Sequence, residues 1–214
     1  MKKLEITGCK EKAALLPSID EIINKAPEVC PVDWALKVVE QARKDACGKT
    51  VPCRDGLWQI IRIVEDDTTG LGESEDLELL KELLDALVTL GCELTAEAAK
   101  RVLKSIELYS EEWEMHIKRK RCTALACKSY YTVYADPAAC TGNEDISICP
   151  EGAIAGGAGL ISVVDEEKCT KCGKCLEQYP EVFKKYGAIK PRLPEAPVAV
   201  GSFNAEGGRR SRRR

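Results

Sequence analysis

The chain has 214 residues, enough for one large or two small domains, and its 32 basic and 35 acidic residues leave a net charge of only −3. That balance gives no nucleic-acid footprint and no funnel for acidic substrates. No run approaches the ~18 apolar residues of a membrane span, and the N-terminal stretch carries charges through its apolar part, unlike a secretion signal. The expectation is a cytoplasmic chain, which holds its thiols reduced, so its twelve cysteines read as metal ligands rather than disulfides.

Residues 1–29 form an N-terminal extension. Residues 30–120 read as a small helical bundle. "PVDWALKVVEQARKDA" places Pro31 at a helix start and sets Trp34, Val38, Val39 and Ala42 on one apolar face. "DGLWQIIRIVED" predicts a shorter helix. "SEDLELLKELLDALVTLG" predicts a long one, capped by Ser74, ended by Gly91, with Leu77, Leu80, Leu84 and Leu87 as its stripe. "TAEAAKRVLKSIELYSEEWEMHIKRK" predicts a third long helix with Val102, Ile106, Tyr109 and Trp113 on one side. A cysteine-containing linker, 121–129, follows. From about 128 the texture changes to strand-like "YYTVYA" and "LISVVD" among Cys, Gly and Pro, so the fold class is α+β. "GAIAGGAGLIS" lacks the strand, G-x-G-x-x-G, helix order of a dinucleotide site and reads as a loop. Residues 192–214 read as a disordered tail ending in "RRSRRR".

Residues 130–191 contain a repeat. "DPAAC…CPEGAI" recurs as "DEEKC…YPEVFKKYGAI", with Asp136 to Asp165 and Cys140 to Cys169 each 29 apart and Pro150 to Pro180 30 apart. The second copy holds "CTKCGKCLEQYP", three cysteines at C-x2-C-x2-C with Tyr179 where a fourth would stand. This repeat resembles the bacterial two-cluster ferredoxins, in which the fourth cysteine of each motif ligates the other motif's cluster. The resemblance implies a [4Fe-4S] cluster on Cys169, Cys172, Cys175 and Cys149. It also implies that the other cluster is lost, because Asn143 and Ile146 stand near two ligand positions and only Cys140 remains. Four thiolates also suit zinc, but C-x2-C-x2-C with a remote C-P is more typical of iron–sulfur.

"DACGKTVPCRDG", then "TGLGESEDLELL", Cys92 and "ELYSEEWEMHI", resembles the C-terminal iron–sulfur region of the flavin-bearing, NADH-oxidising subunit of complex I and of related electron-bifurcating hydrogenases, over about residues 30–118. The family's central cysteine falls on Thr50, whose hydroxyl is a poor iron ligand. Cys47, Cys53 and Cys92 remain, sufficient for a [3Fe-4S] cluster, for a [4Fe-4S] cluster with another fourth ligand, or for a vestigial bundle that holds nothing. Cys30 or Cys9 could supply a thiolate, but spacing does not show it. His116, Cys122 and Cys127 fit a zinc site wanting a fourth ligand. The related hydrogenase subunits carry a similar Cys-x4-Cys linker, and Cys140 is a candidate for the fourth position. The alternative is a surface histidine and two reduced core cysteines.

These resemblances imply an electron-transfer subunit, a C-terminal portion of a flavin-type oxidoreductase of anaerobic metabolism. Its expected partners are a flavoprotein or other redox subunits, and no complete active site is expected on this chain. A docking subunit whose metals mainly fold it is the alternative. A thiol–disulfide enzyme using C-x-x-C is the weakest reading, because no thioredoxin-like βαβ pattern accompanies the motif.

Overall fold

The computed structural model describes residues 9–204, and the "RRSRRR" run lies outside them. The chain divides into two compact units, Met1–Tyr130 and Tyr131–Arg214. It is α+β: seven of the described helices lie in the first unit, and the strands lie in the second. No described helix is long and apolar enough to cross a membrane.

The first unit opens with two short helices, α1 (Cys9–Ala13) and α2 (Asp20–Lys25). Helix α3 (Pro31–Asp45) begins where expected, with Pro31 supplying a fixed φ and needing no donor. Its residues Val32, Trp34, Ala35, Val38, Val39 and Ala42 are all buried. A π-turn over Pro52–Gly56 leads directly into α4 (Leu57–Thr69), closed by Gly70 at φ 93°. Helix α5 (Asp76–Leu90) starts one residue later than Ser74 predicts, with Glu75 in the cap position. Asp76 accepts from the Glu73 N–H at 2.6 Å and holds the preceding turn, so Ser74 is not the cap. Leu80, Leu84 and Leu87 are buried, each contributing ~1.5–3 kcal/mol.

The long third helix of the sequence reading is two helices, α6 (Glu93–Leu108) and α7 (Ser110–Arg119). The chain bends at Tyr109, which has φ −128° and ψ 40°. Two interactions favour the bend over a straight helix. The Tyr109 hydroxyl donates to the Ile22 carbonyl at 3.1 Å, and the buried Trp113 indole donates to Ser105 Oγ at 3.3 Å. Ser105 Oγ in turn donates to the Pro31 carbonyl at 3.3 Å, so each buried polar group in this chain of contacts is satisfied. The expected linker is not a separate element either. Cys122 and Cys127 are buried in the helical core, and Tyr130 donates to the Asp67 carbonyl at 2.5 Å.

The second unit contains two antiparallel strand pairs. Strand β1 (Thr132–Ala135) pairs with β4 (Phe183–Tyr186) in the register Thr132↔Tyr186 to Ala135↔Phe183. Strand β2 (Ile154–Gly157) pairs with β3 (Leu160–Val164), with a register shift between Ala155 and Gly157. "GAIAGGAGLIS" is therefore a hairpin rather than a loop. A close backbone approach beside it requires glycine. Gly142 sits at φ 77°, where a Cβ would meet the Cα of Gly159 at 2.5 Å. The tail is ordered further than expected. The Ile161 N–H donates to the Val198 carbonyl and the Val200 N–H to the Gly159 carbonyl, so residues 198–200 lie along β3. One short helix, α8 (Lys174–Gln178), carries Cys175, the last cysteine of the C-x2-C-x2-C segment.

Candidate metal and cluster sites

Three groups of sulfur ligands emerge. The most compact joins Cys30, His116, Cys122 and Cys127, all buried, with ligand atoms within 4.8 Å of one another. Cys30 Sγ is 3.3 Å from His116 Nε2 and 3.7 Å from Cys127 Sγ, and Cys127 Sγ is 3.4 Å from the same nitrogen. A tetrahedral zinc with Zn–S of about 2.3 Å and Zn–N of about 2.0 Å separates its sulfurs by about 3.8 Å and sulfur from nitrogen by about 3.5 Å. The donor set fits such an ion. His116 Nδ1 lies 2.8 Å from the Glu112 carbonyl, to which it donates, and this leaves Nε2 free as the donor atom. Burial opposes charge on His116, but hydrogen bonds with Cys122 and Cys30 outweigh it and push the imidazole up to about 10. Cys122 is held far below the thiol range by its bonds with Cys127 and Cys30.

The fourth member is Cys30, not Cys140. Cys30 caps α3 and accepts from the Asp33 N–H at 3.5 Å. The bend at Tyr109 sets α7 so that His116 meets it. A cysteine directly before the proline of a helix start was the available sequence signal, since such a thiol faces the positive end of the helix. Cys140 belongs to the second unit, where burial raises its pKa while the Ser162 N–H donates to it.

The second group lies around the π-turn. Cys47 and Cys53 are 4.0 Å apart. Cys92 caps α6, and Thr95 donates to its sulfur at 3.6 Å. Burial disfavours its thiolate, but the Thr95 and Leu94 N–H groups and the Thr95 hydroxyl outweigh this and lower its pKa. Cys47 is lowered mainly by the Lys49 N–H. Cys53, almost fully buried, is pushed up to about 11 by that burial. π-Turns often mark functional sites, and this one carries Cys53 inward. Cys9 also lies near this group, and burial, then Cys92 and Cys47, pushes its thiol up to about 11.

The third group is the one that the C-x2-C-x2-C spacing predicts. Cys149, Cys169, Cys172 and Cys175 line one cavity with Val133, Ile154 and Val164. Cys149 Sγ accepts from the Ala153 N–H at 3.3 Å, and burial raises Cys175. Cys172 is exposed, so the cavity lies at the surface. Tyr179 has another use. Its hydroxyl accepts from the Asp145 N–H at 3.0 Å. Beside it, the buried Glu144 carboxylate accepts from the Thr141 N–H at 2.6 Å, the Thr141 hydroxyl at 2.9 Å and the Gly142 N–H at 3.1 Å. Asn143 and Ile146 thus lie in a loop organised by a carboxylate.

Residues 33–116 match the family described as the NADH-ubiquinone oxidoreductase-F iron-sulfur binding region. Over these residues the chain resembles that family. Two curated relatives extend the likeness. The HndC subunit of the NADP-reducing hydrogenase of Solidesulfovibrio fructosivorans is 32% identical over 129 residues, 59% of this chain and 26% of that protein. The F subunit of the NADH-quinone oxidoreductase of Streptomyces coelicolor is 31% identical over 108 residues, 50% of this chain and 24% of that protein. The chain spans about a quarter of the length of either relative. The iron–sulfur match falls on the bundle and indicates a [4Fe-4S] cofactor.

Asp67, in the same unit, gives a pH prediction. It is fully buried, and neither carboxylate oxygen has a hydrogen-bond partner. Burial, then the charge of Asp76, pushes its pKa up to about 7. The folded state therefore holds this proton more tightly than the unfolded chain, whose pKa is about 4. Stability from this group is full below about pH 4 and is lost as pH rises through about 7. Denaturant unfolding at about pH 5 and about pH 8 should show a loss of a few kcal/mol that shrinks in Asp67→Asn. An equal loss in both proteins would sink the assignment.

Proposed function

We propose that the chain is an iron–sulfur electron-transfer subunit of a multi-subunit oxidoreductase, passing single electrons between a flavoprotein and another redox centre. The observation that carries this reading is the convergence of Cys47, Cys53 and Cys92 inside the segment that matches the iron–sulfur family. The names of both relatives mark them as subunits, which supports a hetero-oligomeric setting. A second cluster, of ferredoxin type, would be held by Cys149, Cys169, Cys172 and Cys175. When bound, such groups supply reversible one-electron transfer at potentials set by charge, hydrogen bonds and exposure.

The chain's own residues suit this chemistry. Backbone N–H groups donate to Cys47, Cys92 and Cys149, which offsets the negative charge of a thiolate-ligated centre. Exposure at Cys172 brings the second site to the surface, where an electron can enter or leave. The Cys30–His116–Cys122–Cys127 group suits a single zinc ion with a structural role, since all four positions are filled by protein and none is open to substrate. Among the described residues it is the group whose donors all lie within 4.8 Å.

Anaerobic purification followed by iron, sulfide and zinc analysis tests the reading. About eight irons, about eight sulfides and about one zinc per chain are expected. A low-potential chemical reductant should then produce EPR signals of two one-electron centres. Zinc without iron or sulfide would overturn electron transfer and leave a docking subunit whose metals serve folding.

A further inference from the structure

Position 50, which carries cysteine in the resembling family, is threonine here, and its hydroxyl is buried without a hydrogen-bond partner. An alcohol is too weak an acid to replace a thiolate on iron at neutral pH. Cys47, Cys53 and Cys92 would then be one ligand short. The structure brings a fourth thiol to them from far upstream. Cys9 opens α1, is 5% exposed, and lies near enough to Cys92 and Cys47 to interact with both.

The approach of Cys9 is fixed by more than its own contacts. Arg101 of α6 donates from Nη1 to the carbonyls of Leu16 at 2.5 Å and Pro17 at 2.8 Å, and from Nη2 to that of Ala13 at 3.4 Å. Lys12 donates to the Asp45 carbonyl at 2.9 Å, two residues before Cys47. Ala13 and Leu16 are buried in the same core as α3 and α6. A segment of five helical residues has little intrinsic stability, so these long-range anchors are what hold it. They tie α1 to α3, which ends two residues before Cys47, and to α6, which Cys92 caps.

We propose that Cys9 is the fourth thiolate of the bundle's cluster, brought in by α1 in place of the side chain at position 50. The inference rests on the reading that the bundle holds an iron–sulfur cluster. It makes the segment around α1 part of the cofactor site, and it makes the centre a four-thiolate [4Fe-4S] cluster rather than a three-iron one.

The test uses the full chain with Cys169, Cys172 and Cys175 replaced by serine, so that only the bundle's cluster is read. This parent should hold about four irons and give one reduced-state EPR signal. Adding Cys9→Ser should lower iron to about three, replace that signal with one seen in the oxidised protein, and leave helical circular dichroism unchanged. Adding Thr50→Cys to Cys9→Ser should restore about four irons and the reduced-state signal, which a merely structural role for Cys9 would not predict. Iron at about four with an unaltered signal in Cys9→Ser would overturn Cys9 as a ligand while leaving the cluster reading intact. No iron in the parent, after anaerobic reconstitution, would overturn both. Should Cys9→Ser fail to fold, Cys9→Ala with Thr50→Cys decides: iron regained supports the proposal, and iron still absent overturns it.

Discussion

Cys149→Ser is expected to abolish or convert the cluster of the second unit, whereas Cys140→Ser is expected to leave it untouched. The two cysteines flank one loop, but the resemblance assigns only Cys149 to this cluster. The structure separates them. Cys149 lines the cavity shared with Cys169, Cys172 and Cys175, and its sulfur accepts from the Ala153 N–H. Cys140 is a buried thiol facing the Ser162 N–H. Serine in place of Cys149 offers an alcohol of much higher pKa, so one iron loses its preferred soft ligand. Iron per chain should fall by about one to about four, according to whether the cluster converts or is lost, and the corresponding EPR signal should change shape or vanish. Cys140→Ser should keep iron and signal, with a stability cost of ~1–3 kcal/mol for a polar group placed in an apolar site. Equal damage from the two substitutions would refute the ligand set.

Cys30→Ala should remove the single-ion site and destabilise the first unit. Cys30, His116 and the Cys122–Cys127 segment come from the start of α3, the end of α7 and the chain beyond it, so a bound ion ties three stretches together. Structural zinc contributes ~10–16 kcal/mol to isolated zinc-finger peptides, which have almost no other core. Here Trp34, Leu80, Leu84, Leu94 and Trp113 form a core of their own, so the variant should remain folded. A loss of several kcal/mol is expected, which lowers Tm by ~10 °C or more. Zinc analysis should show the ion gone, and a chelator should lower the Tm of the parent but not of Cys30→Ala. Retention of the zinc with an unchanged Tm would show that Cys30 is not a ligand.

Much was legible from the sequence. The apolar stripe of α3 is buried as its periodicity demands, as is that of α5 except at the half-buried Leu77, and the α+β division follows the change in texture near residue 130. Cys149, Cys169, Cys172 and Cys175 could be chosen together because their spacing recurs in a known pattern, and they line one cavity. Strands β2 and β4 were harder to read. Their sequences, "IAGG" and "FKKY", have no alternation long enough to distinguish strand from loop, and each is a strand because of its partner.

What local sequence determined was what depends on neighbours within a few residues: helical faces, the C-x2-C-x2-C spacing, the proline at the start of α3. Which distant thiols meet was decided by the tertiary structure. Cys30 is 86 residues from His116, yet their donor atoms are 3.3 Å apart, because the chain bends at Tyr109. Cys9 reaches Cys92 because Arg101 and Lys12 hold α1 against the bundle. Spacing fixes ligand geometry only when one short loop carries the ligands. When they arrive from separate helices, packing sets the distances, and the side chains that direct that packing are not themselves ligands.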